Sequence, residues 1–285
     1  MNLKMEEIDI IENNISLLKT SIEFEEVIKD CLSEKFSDDE ISEMDMLGYR
    51  RDKLNQLQYR FSNIYNLDIL SPENGFSILN IDDSEDFKIK RYLHRFLSYK
   101  SLTGGKNANV DGSAEIFELI SANAAKNYLG DGANIIMVGE GNKALTKIRL
   151  KEIVGILQER EGRDYNLPDR AKDDGVDFIV YKSFDSRNVG NIIILGQACV
   201  GKYYNNKKSI RDRWKTEYIT YSVKPPITLL SVVYYLDEPN LRKVHSEFDN
   251  AIVFDRGRII KYYDTTDVGL SNKIIDFVNK EICEE

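Results

Sequence analysis

The apolar positions of this chain recur with two different periods, and the change between them divides it. From Ile8 to about Tyr65 they follow helical spacing, as in Ile8, Ile11, Ile15 and Leu18, with no proline, so the stretch reads as a helical region. Pro72, Gly75 and several Asp and Ser residues then mark 68–83 as a loop, and helical spacing resumes from Ser84 through SEDFKIKRYLHRFLSYKSL. Three glycines and two asparagines in TGGKNANVDG, residues 103–112, place a domain boundary there. The expected division is an N-terminal helical region over 1–103 and a second domain over 104–285.

Beyond that boundary helices and strands alternate. The pattern predicts a helix at Ser113–Leu129, a strand at Asn134–Val138 and a helix near Lys143–Glu161. Two apolar, β-branched strands follow, Val176–Tyr181 and Asn191–Cys199, separated by the hairpin-forming segment SFDSRNVG. A basic helix around Ser209–Tyr218, strands at Leu229–Leu236 and Ala251–Phe254, and a final helix from Ser271 complete a mixed α/β domain.

Composition excludes several classes. The longest apolar run, Pro225 to Leu236, is far short of the roughly 20 residues that span a bilayer. Cys31, Cys199 and Cys283 are too scattered for a disulfide framework or a thiolate zinc site, and no basic-then-apolar leader opens the chain, so a reducing cytoplasm is expected. The net charge of -9 argues against a polyanionic partner until it is divided along the chain. Residues 1–48 hold 14 acids and 4 bases, whereas the remaining 237 hold 35 bases and 34 acids. The acidity therefore belongs to the first segment, which fits a soluble helical layer, a dimerisation or partner surface, or a mask over basic residues.

The hairpin carries the candidate chemistry. KDDGVDFIV, residues 172–180, puts Asp177 at the opening of one strand, and IIILGQACVGK, residues 192–202, puts Gln197 near the close of its partner. Antiparallel pairing brings such side chains to one end of a sheet. A hard cation such as Mg²⁺ takes oxygen ligands at about 2.0 to 2.1 Å, and a carboxylate with an amide oxygen supplies two of them. Asp174 and Asp177 around Gly175 also suit a plain turn. Gln197, following a run of aliphatic residues, needs a partner or a task.

These segments resemble the PD-(D/E)XK restriction-endonuclease-like superfamily, in the Mrr-like branch where glutamine replaces the second acid. A DDGxD segment is paired with a GQxxxG segment over roughly residues 113–260. The resemblance implies a mixed sheet flanked by helices and a Mg²⁺- or Mn²⁺-dependent endonuclease that cleaves DNA, with RNA as the alternative substrate. It also implies a setting of bacterial defence against foreign DNA. Asp177 and Gln197 match two metal ligands, and Glu118 in AEIFELISANAAKNYLG matches the helical glutamate, with Glu115 one turn earlier as the alternative.

The sequence departs from the motif at its lysine. Cys199 stands where the lysine belongs, leaving Lys202 or Lys172 to supply the cation. An inactive nuclease-fold DNA-binding or assembly module is therefore the rival reading. KYYNNKKSIRDRWK adds a candidate phosphate-contacting run in Lys202, Lys207, Lys208, Arg211, Arg213 and Lys215, interleaved with Tyr203, Tyr204 and Trp214. Its bland reading is a solvated helix face. Cys199 itself reads as a small buried strand residue, and His94 and His245 as structural or exposed.

Overall fold

The computed structural model describes residues 84–138, 145–162, 174–183, 190–201, 212–223 and 225–282, the strands Asn66–Asp68 and Ser77–Asn80, and residues 55, 60, 204 and 210. The helical region expected over 8–65 falls almost wholly outside them. Two compact units emerge, one of residues 1–103 with 271–285 and one of residues 104–270.

In the first unit, β1 (Asn66–Asp68) pairs antiparallel with β2 (Ser77–Asn80), Asn66 opposite Asn80 and Asp68 opposite Ser77. This corrects the expectation of a plain loop over 68–83, because strands of three and four residues offer too few alternating positions to stand out. Helix α1 (Glu85–Leu102) follows Ser84, with Glu85 and Asp86 in its first turn where the helix dipole favours acids. Phe96 of α1 packs edge-on against Phe277, ring centroids 5.1 Å apart.

The second unit is built on a five-stranded mixed sheet. Helix α2 (Ser113–Leu129) is followed by β3 (Ala133–Met137), helix α3 (Lys147–Leu157) and the two-residue β4 (Arg160–Glu161). The hairpin strands are β5 (Phe178–Lys182) and β6 (Ile192–Cys199), and a π-helical turn (Arg213–Glu217) leads into β7 (Ile219–Thr220). Then come β8 (Ile227–Val232), helix α4 (Glu238–Glu247), β9 (Ile252–Phe254), helix α5 (Arg256–Tyr262) and helix α6 (Val268–Glu281), which runs on into the first unit. The sheet order is β3-β5-β6-β8-β9, antiparallel across β3, β5 and β6 and parallel across β6, β8 and β9. The α/β class expected from the alternating elements is the one observed, a mixed sheet with helices on its faces.

Side-chain alternation sorts the two faces. Ile179 of β5 and Ile193 and Leu195 of β6 join Leu150, Ile153 and Leu157 of α3 and the buried Trp214 and Tyr218 in one apolar cluster. Farther along the same face of β6, Cys199 joins Leu230, Val232, Val244 and Phe248 in a second cluster, under α4. Gln197 lies at the seam between the two clusters. On the opposite face α2 covers β3, β5 and β6 with Phe117 and Ile120, both fully buried. Asn123 ties α2 to the chain after α5, accepting from the Asp264 amide at 2.8 Å.

Several elements lie beyond the sequence-based expectations. Helix α4 is capped by Asp237, whose carboxylate accepts from the Asn240 amide at 2.8 Å. Helix α5 is capped by Asp255 in the same way. Strands β4 and β7 pair through Arg160–Thr220 and Glu161–Ile219, and the expected basic helix at 209–218 is a single π-helical turn over its described part.

Candidate functional site

One end of the sheet gathers the hairpin residues. The β5–β6 ladder runs from Lys182 opposite Ile192 to Phe178 opposite Gly196, so the next step sets Asp177 opposite Gln197. There the side chain takes over from the main chain. The Asp177 amide donates to the Gly196 carbonyl at 2.9 Å, and its carboxylate accepts from the Ala198 amide at 2.6 Å. Asp177 thus straddles Gln197, gripping the residue on either side of it. Phe178 leans across Gly196, where a Cβ would meet the ring at 2.1 Å, so that strand position has room only for glycine.

The turn before β5 is equally constrained. Asp174 and Gly175 both adopt positive φ, 52° and 89°, a conformation that glycine takes freely and aspartate tolerates. The carboxylate of Asp174, itself buried, accepts from the Tyr218 hydroxyl at 2.8 Å. Burial first, and then this bond, push the phenol up to about 12. Next to it, contact with the Tyr218 hydroxyl raises the proton affinity of the Arg213 guanidinium.

Gln197 is the anomaly of this end. Its side chain is only 7% exposed, and its Oε1 is buried without a hydrogen-bond partner. An unmet buried acceptor costs about 1–3 kcal/mol. It is the kind of oxygen that a cation would satisfy. Among the described residues no group of three or more His, Cys, Asp or Glu side chains could hold a metal. A set of two carboxylates and an amide is a different donor set from those.

Helix α2 begins at this same end. A Cβ on Gly105, just ahead of the helix, would lie 2.7 Å from the Val200 carbonyl, immediately past β6. At the other end of α2, Lys182 donates to the Leu129 carbonyl at 3.4 Å. The first turns of α2, the start of β5 and the end of β6 therefore share one end of the sheet, with α2 on the face opposite Gln197. Glu118 is half-buried in the second turn of α2, whereas Glu115 is exposed. Of the two alternatives, Glu118 is the one with a side chain partly drawn in from solvent.

The basic run divides differently. Lys202, Lys207, Lys208 and Arg211, like Lys172, lie outside the described residues. Lys215 is paired with Asp249 and stands 3.9 Å from Asp212, and Arg213 stands 3.8 Å from Glu217. Tyr204 and Trp214 are core residues rather than surface rings, correcting their expected place among solvent-facing contacts. Both belong to apolar clusters against the sheet, so their period follows packing rather than stacking on bases. Cys199 is buried, with its thiol 3.6 Å from the Gly201 carbonyl. His245 meets the Ala251 carbonyl at 2.8 Å and His94 is fully buried, both structural placements.

Sequence reasoning missed Tyr218 and the double grip of Asp177. Tyr218 lies 44 residues from Asp174, and nothing local in the sequence ties them. No helix among the described residues is long and apolar enough to cross a membrane.

No protein-family model matches the chain, and no curated protein matches it. Among solved structures, the MspJI restriction endonuclease in complex with a 27-mer oligonucleotide aligns over 70% of this chain with 14% identity and a TM-score of 0.33. This chain covers 37% of that one.

Proposed function

We propose that the chain is a metal-dependent nuclease of the restriction-endonuclease-like kind, hydrolysing phosphodiester bonds of DNA. One observation carries the reading: the buried, unpartnered amide oxygen of Gln197 sits directly across the ladder from the carboxylate-bearing Asp177. Helix α2, which carries Glu118, starts at the same end of the sheet but over the opposite face, so Glu118 enters the proposal as a third ligand reaching round that end. Asp177, Gln197 and Glu118 would hold Mg²⁺ or Mn²⁺. Such an ion, when bound, lowers the pKa of an attacking water and offsets charge on the phosphate.

The protein's own contribution is orientation. The Ala198 amide fixes one carboxylate oxygen of Asp177, and Leu195 and Cys199, on the same face of β6 as Gln197, anchor that strand in the two apolar clusters. Lys202 or Lys172 supplies the positive charge that the motif ordinarily takes from the position of Cys199, stabilising the leaving oxyanion. Lys207, Lys208 and Arg211 contact the phosphate backbone, contributing salt-sensitive affinity without reading sequence. The acidic N-terminal helical region serves dimerisation or a partner protein, and cleavage of foreign DNA is the cellular role.

The test offers purified full-length protein supercoiled plasmid, linear duplex and structured RNA, each with Mg²⁺ or Mn²⁺. Nicking of plasmid that disappears in Asp177→Ala is expected; cleavage of RNA alone moves the substrate class. Cys199 in the lysine's place favours a second reading, a DNA-binding or assembly module that has lost catalysis. Binding of duplex with no cleavage under either metal decides for it.

A further inference from the structure

The Asp174–Gly175 turn delivers Asp177 to the sheet, yet it is held from outside the hairpin. Its tie is the Tyr218 hydroxyl, 2.8 Å from Asp174 Oδ2 and fully buried. Tyr218 in turn belongs to an anchored support. The π-helical turn closes with the Tyr218 amide donating to the Arg213 carbonyl at 2.7 Å, and Trp214 packs edge-on to the Tyr218 ring. Tyr221 donates to the Trp214 carbonyl at 2.7 Å. Gly162 brings its main chain so close that a Cβ would overlap the Glu217 carbonyl, and its amide donates to the Tyr218 carbonyl at 3.0 Å. π-Helical turns recur at functional sites, where an extra residue re-aims a side chain.

We propose that Tyr218 is a positioning residue for the metal site, the π-helical turn acting as a strut that fixes the Asp174–Gly175 turn and thereby the reach of Asp177 toward Gln197. The chain of contacts is short: Tyr218 holds Asp174, Gly175 lies with its Cβ position 3.8 Å from the Gln197 amide nitrogen, and Asp177 follows two residues later. A tie of this length sets where a ligand oxygen sits without touching the ion. The inference rests on the metal-dependent reading above.

The experiment measures Mn²⁺ binding to the full chain by the loss of the free-ion paramagnetic resonance signal, with calorimetry as a second readout. Tyr218→Phe removes only the hydroxyl and is expected to weaken binding about 10- to 100-fold, the usual effect of losing a group that orients a ligand. Asp174→Ala removes the acceptor of the same tie and should weaken binding by at least as much, and the double variant no further than Asp174→Ala, since the tie is already cut there. Asp174→Asn keeps an acceptor for the phenol and should retain more affinity than Asp174→Ala. Ile153→Val, a loss of packing in the same apolar cluster, should leave binding unchanged. Should Tyr218→Phe prove poorly folded, the contrast between Asp174→Asn and Asp174→Ala decides alone. Wild-type affinity retained by both Tyr218→Phe and Asp174→Ala, with Asp177→Ala still abolishing binding, overturns the positioning role only. Equal binding by wild type and Asp177→Ala, or none by wild type, overturns the metal reading and this inference together.

Discussion

Two buried aspartates stand at strand ends of the same sheet, and they differ in what surrounds them. Asp255, just past β9, accepts from the Leu236 amide at 3.2 Å and the Arg258 amide at 3.0 Å, caps α5, and has Arg256 and Arg258 beside it. Burial raises its pKa while those two amides pull the other way. Asp177, just ahead of β5, also accepts a backbone amide, but its neighbour across the ladder is a buried amide oxygen with no partner. Burial of a carboxylate is common to both. The unmet acceptor beside it is what separates Asp177 from a closed helix cap, and it is why the proposed cation is assigned there.

That contrast can be broken most sharply through activity. Asp177→Ala should lower the cleavage rate about 100- to 1000-fold, the scale of losing one electrostatic stabiliser, in a single-turnover assay. Asp255→Ala should leave the rate of the folded protein untouched. Its effect belongs to stability: a lost cap together with a stranded Leu236 amide should cost about 2–3 kcal/mol in urea unfolding. If the two variants exchange these phenotypes, the distinction drawn here is wrong.

A smaller effect sharpens the same point from the other side. Gln197→Leu replaces the stranded amide with an apolar group of similar shape between two apolar clusters, so stability should rise by about 1 kcal/mol while metal binding falls. A fold-preserving variant that gains stability as it loses the ion is the signature of a residue kept for its task. Lower stability in Gln197→Leu would instead give the amide a structural partner.

The smallest expected effect is alkaline. The Tyr218 phenol is raised from 10.0 to about 12, so its neutral form is favoured by folding. The resulting stability is fully present below pH about 10 and is lost as pH rises through about 12. Tyr218→Phe should flatten that segment of the stability profile, measured by denaturant midpoints across alkaline pH.

Much of this was legible in the sequence where local patterns were long. The run of β-branched residues in Ile192–Ile194 and the turn-forming residues between Tyr181 and Asn191 specify a hairpin, and with it the meeting of Asp177 and Gln197. Asp237 ahead of Glu238-Pro239 was a readable helix start, and the short α4 still escaped notice because its apolar face has few members. Strands β4 and β7 contribute two residues each, below any periodicity. The bond from Tyr218 to Asp174 spans 44 residues, and the stranded state of Gln197 Oε1 is a property of packing, so neither could be read from residue order. Trp214 and Tyr204 misled because basic and apolar residues alternate on a segment that is charged outside and core inside.

The close approach at Gly162 and the ring lying over Gly196 bear on how the chain would respond to random substitution. A survival screen would score both glycines as severely as Asp177, since any side chain there collides with main chain or with Phe178. Intolerance at the two positions would record crowding rather than chemistry, and only the yield of folded protein, counted beside turnover, tells one kind of indispensable residue from the other.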